Sequence, residues 1–165
     1  MQGEAIRIII TGGTFDKSYD ALRGELTFRG SHLPEILPHL NLTVPVELEI
    51  NQLVDSLYMD DEGRQRVLEA CRSAREDRIV VIHGTDTMTE TARLIGEARL
   101  DKRVVFTGAM VPYAVQGSDA LFNLGFALSA VQLVERGAYV AMSGRLFSWD
   151  RVRKNREAGQ FESID

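Results

Sequence analysis

Cysteine is almost missing from this chain. Cys71 is alone among 165 residues, so no internal disulfide can form, and a lone thiol suits a reducing, cytoplasmic setting. It sits in VLEACRSA, a helical pattern where cysteine serves as a small core residue, with no histidine near it in sequence to make it a nucleophile. Long apolar runs are missing too. The longest, around 121–134, is broken by Asn123, Ser129 and Gln132, which excludes a membrane span. The apolar run within MQGEAIRIII is too short for a secretion signal, so no targeting segment is expected. Positive charge is not in excess. Nineteen basic against 24 acidic residues leave a net charge of −5, which argues against nucleic acid or an anionic membrane as partner. The three histidines, His32, His39 and His83, lack paired spacing, so no metal is expected. Neither a GxGxxG fingerprint nor a P-loop occurs, and Asp86 and Asp119 would repel phosphates, so no nucleotide or other cofactor is expected. The G-x-S-x-G of a serine hydrolase is absent as well.

What is present is ordinary globular material, 44% hydrophobic and 26% charged. A chain of this size buries roughly 70% of its extended surface on folding, enough for a core without staples. Strand-like runs stand at 6–10, 46–50, 78–82, 103–107 and 138–142, several of them nearly continuous Val/Ile. Helical patterns lie between them at 33–40 (interrupted by Pro38), 61–75, 89–99 and 118–134. This alternation predicts one α/β domain over residues 1–165: a doubly wound, mainly parallel sheet of Rossmann or flavodoxin-like type. A polar tail without a sixth strand is expected after the fifth.

Ligands in such folds sit outside the carboxyl ends of the strands, near the point where strand order reverses. The residues there are Thr11-Gly12-Gly13-Thr14 after the first strand and Asp55-Ser56 after the second. His83-Gly84-Thr85-Asp86 follow the third, and Gly108-Ala109 the fourth. The Gly-Gly turn would lift Thr14 clear of its strand and expose backbone N–H groups to an oxyanion. A threonine becomes nucleophilic only when a neighbour takes its proton. Tyr19 in DKSYD is close enough to fold back over Thr14, Thr85 sits beside Asp86, and RVRKNR at 151–156 is a basic cluster from which a lysine could act as base. His83 is read as a satisfied, half-buried structural histidine. Asp119 and Asn123 are read as caps and buttresses of the helix after the fourth strand, with Asp119 lining the site as the other reading, and Thr87 and Thr89 as hydroxyls of the helix start.

These stretches resemble one family. TGGT at 11–14, DS-x-x-M at 55–59, HGTDTM-x-ET at 83–91, GAM-x-P at 108–112 and SDA-x-x-NL at 118–124 are similar to the asparaginase/glutaminase family of threonine amidohydrolases, in the family's order and over nearly the whole chain. The resemblance implies catalytic roles for Thr14, Tyr19, Thr85, Asp86 and Lys154. Thr14 matches the nucleophile, Tyr19 the flap tyrosine that helps activate it, and Lys154 in V-R-K-N the lysine beside the second threonine. Thr85 would stand near the amide being split, and Asp86 would hold the substrate α-ammonium. Substrate binding would fall to Gly13, Asp55, Ser56, Gly84, Thr85, Asp86 and Ala109, with Ser56 on the α-carboxylate. A zwitterionic substrate needs both an acid and neutral donors, because burying either charge unpaired is costly.

The chain departs from the family in two ways. Tyr19 follows Thr14 by five residues where many members use a longer flap, and LRGELTFRG at 22–30 reads as a hairpin behind it. The chain also stops at Asp165, so the resemblance is to compact members without the usual carboxy-terminal domain. The expectation is an L-asparagine amidohydrolase working through a threonine acyl-enzyme. Glutaminase preference, a non-catalytic amino-acid-binding module and an amidotransferase subunit stay open as alternatives. A homo-oligomer, a dimer or tetramer, is expected because members of the family the chain resembles associate and because Phe147 and Trp149 are exposed candidates. Trp149 is read as either an interface or a packing anchor.

Overall fold

The computed structural model describes residues 4–165; the first three residues of the stretch read for a targeting signal lie outside it. The Val/Ile runs form the strands expected of them. β1 (Ile6–Gly12), β4 (Val46–Val54), β5 (Arg78–Ile82), β6 (Arg103–Thr107) and β7 (Gly137–Met142) all run parallel, in the order β4-β1-β5-β6-β7. The chain leaves β1 to one side for β4 and returns to the other for β5. The strand order therefore reverses between β1 and β5, where such sheets bind ligands.

Alternate residues of each strand feed two cores. Ile9, Val81, Phe106 and Val140 pack with α2 (Asp61–Ser73) and α3 (Met88–Glu97) on one face. Ile8, Ile10, Val80, Ile82 and Val105 pack with α1 (Leu33–Ile36) and α4 (Ala120–Leu133) on the other. α2 starts where Asp60 accepts the Gly63 N–H, with Asp61 and Glu62 at the positive end of the helix dipole. Cys71 lies buried on its inner face, and burial pushes its thiol up to about 12, well away from nucleophilic use. The helical pattern at 33–40 breaks as its proline requires: α1 gives way to a tight turn at Leu37–His39. Among the described residues, no helix is long and apolar enough to cross a membrane.

The tail after β7 differs from the expectation. It carries three strands: β8 (Arg145–Ser148), β9 (Val152–Asn155) and β10 (Gln160–Ser163). β8 adds to the sheet as an antiparallel sixth strand. Ser143 and Gly144 turn the chain with φ of 54° and 79°, the double positive-φ geometry of a two-residue hairpin. Pairing β8 with β7 turns Phe147 into the core, where it is 4% exposed. Trp149 covers α3 at Gly96, where a Cβ would overlap the indole. Phe147 is therefore not the exposed candidate expected, while Trp149 is half-buried and takes the packing role that was one of its two expected ones.

A second hairpin stands apart from the sheet, with β2 (Lys17–Asp20) antiparallel to β3 (Glu25–Phe28). It begins five residues earlier than the one read at 22–30, so Tyr19 is part of it, opposite Leu26. The Asp20 carboxylate accepts the Leu22 and Arg23 N–H groups, and Gly24 at φ 68° closes the turn.

Candidate functional site

Three turns at the carboxyl ends of β1, β4 and β5 nest so closely that side chains are excluded between them. A Cβ on Gly12 would lie 2.5 Å from the Val54 nitrogen, one on Gly13 2.5 Å from Gly84 Cα, and one on Gly84 2.5 Å from Ser56 Oγ. Gly12 and Gly13 also need φ of 102° and 80°. Polar bonds stitch the same seam: Gly13 N–H donates to Val54 O at 2.9 Å and Thr11 Oγ1 to Ile82 O at 2.7 Å. Gly13, Thr14, Asp55, Ser56, Gly84, Thr85 and Asp86 thus occupy one rim around the switch point.

Thr85 is 7% exposed and accepts a hydrogen bond from Lys154 Nζ at 2.9 Å. The same ammonium donates to Asp86 Oδ1 at 3.0 Å. Lys154 arrives on β9, so the strand absent from the sequence reading carries the lysine to the rim. Arg156, two residues on, donates to the Asp86 carbonyl at 3.3 Å.

Thr14 opens a tight turn, Thr14–Asp16, and is partly exposed. Its hydroxyl has no hydrogen-bond partner among the described residues. Tyr19 is 61% exposed on β2 and its hydroxyl is likewise unbonded among them. No hydrogen bond joins Tyr19 to Thr14 among the described residues.

Ser56 is buried, and its Oγ accepts the Thr87 N–H at 3.2 Å while its carbonyl accepts Thr87 Oγ1 at 2.9 Å. Its own hydroxyl proton stays free to donate, as a carboxylate ligand would need. Asp55 is already engaged: Oδ2 takes Lys17 Nζ at 2.6 Å and Oδ1 takes the Leu57 N–H at 3.0 Å. Burial works to raise the Asp55 carboxyl, but Lys17 and the Leu57 N–H outweigh it and hold the group below its ordinary value.

The remaining residues are supports. His83 is fully buried, with Nδ1 at 2.8 Å from the Gly84 carbonyl and Nε2 at 2.8 Å from Thr91 Oγ1. A carbonyl only accepts, so Nδ1 carries the proton and Nε2 receives the Thr91 hydroxyl. Complete burial drives His83 down to about 4 despite the Gly84 contact, and the Arg64 charge adds to the fall. It is a structural histidine, as expected. The Asp119 carboxylate does not cap α4; it accepts the Met110 and Val111 N–H groups at 3.0 Å and an amide proton of Asn123 at 2.9 Å. Asn123 also donates to Gly108 O at 2.9 Å. Together they buttress the turn that holds buried Ala109. Lys17 and Thr87 are the contributors that sequence reading missed. Lys17 had no motif to mark it, and Thr87 was read only as a helix-start hydroxyl.

No group of three or more His, Cys, Asp or Glu side chains able to hold a metal occurs among the described residues. What the rim offers is two threonines, two lysine–aspartate pairs and a free serine hydroxyl.

The family model for the asparaginase N-terminal domain matches residues 5–165. L-asparaginase 1 of Escherichia coli K12 is 31% identical over 137 residues, covering 75% of this chain and 39% of the relative. A probable periplasmic L-asparaginase of Haemophilus influenzae is 30% identical over 165 residues, covering 90% of this chain and 46% of the relative. Among solved structures, a probable cytoplasmic L-asparaginase of Campylobacter jejuni superposes with a TM-score of 0.82 at 28% identity, covering 98% of this chain and 53% of that one. The chain thus spans less than half the length of these two curated relatives. With the family model matched along nearly its whole length and the switch-point rim built from the family's motifs, the chain belongs to the asparaginase family, as its N-terminal domain.

Proposed function

We propose that this rim hydrolyses the side-chain amide of a free amino acid, L-asparagine first, through a threonine acyl-enzyme. The observation that carries this is Lys154 Nζ bound at once to Thr85 and Asp86, across the switch point from Thr14. Thr14 Oγ attacks the amide carbon, its proton passes toward the leaving nitrogen, and turn N–H groups hold the oxyanion. The C–N bond breaks and ammonia leaves. Water then attacks the ester, releasing aspartate and returning the proton to Thr14. Thr85 and Lys154 move protons in these steps, Asp86 receives the α-ammonium, and Ser56 donates to the α-carboxylate. Tyr19 has no hydrogen-bonded place in this route. The lone buried thiol of Cys71 supports a cytoplasmic setting.

A second reading is an amino-acid-binding module without turnover. It is favoured by the Thr14 hydroxyl, which has no base within hydrogen-bond reach among the described residues. Ammonia release from asparagine and from glutamine by the purified protein decides between them. Release from asparagine supports the amidohydrolase; tight aspartate binding without release supports the module.

A further inference from the structure

The ion pair between Lys17 and Asp55 joins two turns that the proposed chemistry needs in register. Lys17 ends the turn opened by Thr14, and its backbone N–H donates to the Thr14 carbonyl. It also begins β2, so the residue that closes the Thr14 turn starts the hairpin. Asp55 immediately precedes Ser56. One of its oxygens caps the Ser56–Tyr58 turn through the Leu57 N–H, and the other takes Lys17 Nζ at 2.6 Å. The ammonium also stands 5.8 Å from the centre of the Phe28 ring, its cross-strand partner on β3. Three segments therefore converge on one amino group: the Thr14 turn, the hairpin and the Ser56 turn.

An exposed ion pair contributes little, because water competes for both charges. Here the side chains are 18% and 26% exposed and the contact is short and charge-assisted. The opposite flank of the hairpin is fixed separately. Asp16 Oδ1 accepts the His32 N–H at 2.8 Å, His32 Nε2 lies 3.0 Å from Ser18 Oγ, and Tyr113 N–H donates to Phe15 O at 3.1 Å. Lys17 and Ser18 point to opposite faces of β2, so the His32–Ser18 contact anchors one side and Lys17 the other.

We propose that Lys17 is a positioning residue that, through Asp55, clamps the Thr14 turn and the β2–β3 hairpin onto the turn bearing Ser56. Its role in turnover rests on the amidohydrolase reading; the clamp itself does not. The depressed Asp55 carboxyl accords with a pair that is formed in the folded state.

The test combines hydrogen exchange with kinetics on Lys17→Met, Asp55→Asn, the double variant and Lys17→Arg. The clamp predicts hairpin amides at 18–28 exchanging about tenfold faster in each single variant, with α3 amides unchanged as the control for folding. The double variant should add little to either single one, and Lys17→Arg should restore slow exchange. With asparagine, kcat should fall about tenfold in Lys17→Met, because the nucleophile's turn has lost an anchor, and recover in Lys17→Arg. Hairpin exchange unchanged in both single variants overturns the clamp. Absence of ammonia release by the wild-type protein overturns the amidohydrolase reading instead, and exchange alone then decides the clamp.

Discussion

The two threonines sit at the ends of strands paired in register, yet their surroundings are built differently. Thr85 is buried and wired, its hydroxyl bound to Lys154 and that lysine to Asp86. Thr14 is partly open, and its nearest lysine–aspartate pair, Lys17 with Asp55, bonds to the backbone and to the neighbouring turn rather than to its hydroxyl. A buried, prewired hydroxyl suits proton transfer within a fixed network. An open hydroxyl on a held turn suits a group that must reach a substrate carbon and later release it. On the proposed reading, the Lys154–Asp86 pair tunes chemistry while the Lys17–Asp55 pair of the same composition fixes geometry.

The sharpest break of that comparison removes the wired lysine. Lys154→Met should lower kcat/KM for asparagine by roughly 10²–10⁴-fold, far beyond the tenfold loss in Lys17→Met; ammonia-release kinetics on both variants check the order. Equal losses would erase the distinction between the clusters. Next comes the seam between the turns. Gly84→Ala forces a Cβ against Ser56 Oγ, so asparagine KM should rise about tenfold or more, with a loss of about 1–3 kcal/mol in urea unfolding from displaced turns.

Acid acts on the supports rather than on the threonines. The folded-state value of His83 is about 4 against an ordinary 6.5, so the unfolded chain takes its proton first. The stability it contributes is complete above about 6.5 and drains away as pH falls toward 4, a total on the order of 3 kcal/mol. Asp55 has the same sign, because its depressed carboxyl contributes stability that is lost as pH falls through its folded-state value. Urea unfolding at pH 7 and at pH 4.5 should show this drop in the wild type and a smaller one in His83→Gln. The smallest effect belongs to the exposed side of the hairpin. Tyr19→Phe should change kcat by less than about threefold, since its hydroxyl bonds nothing here. A hundredfold fall would mean that the hairpin bends over Thr14 once substrate is bound.

The five parallel strands and the rim were legible because Val/Ile runs and the turns after them are local patterns. β8 was not. RLFS is four residues long and half polar, and only its pairing with β7 makes it a strand, so Phe147 read as an exposed residue. Asp119 looked like a helix cap from its position, but its carboxylate turns back to the loop before the helix. Lys154 and Thr85 are 69 positions apart, and family resemblance alone could pair them in advance. Lys17 and Asp55, 38 apart, carry no motif linking them, and the nesting of glycine turns is what brings them together.

The central claim is that Thr14 forms the covalent bond while Thr85 stays in the proton network. Trapping with an electrophilic asparagine analogue, followed by peptide mass spectrometry, tests it on the wild type, Thr14→Ala and Thr85→Ala. An adduct is expected on Thr14 in the wild type and none anywhere in Thr14→Ala. An adduct on Thr85 that survives in Thr14→Ala would contradict it.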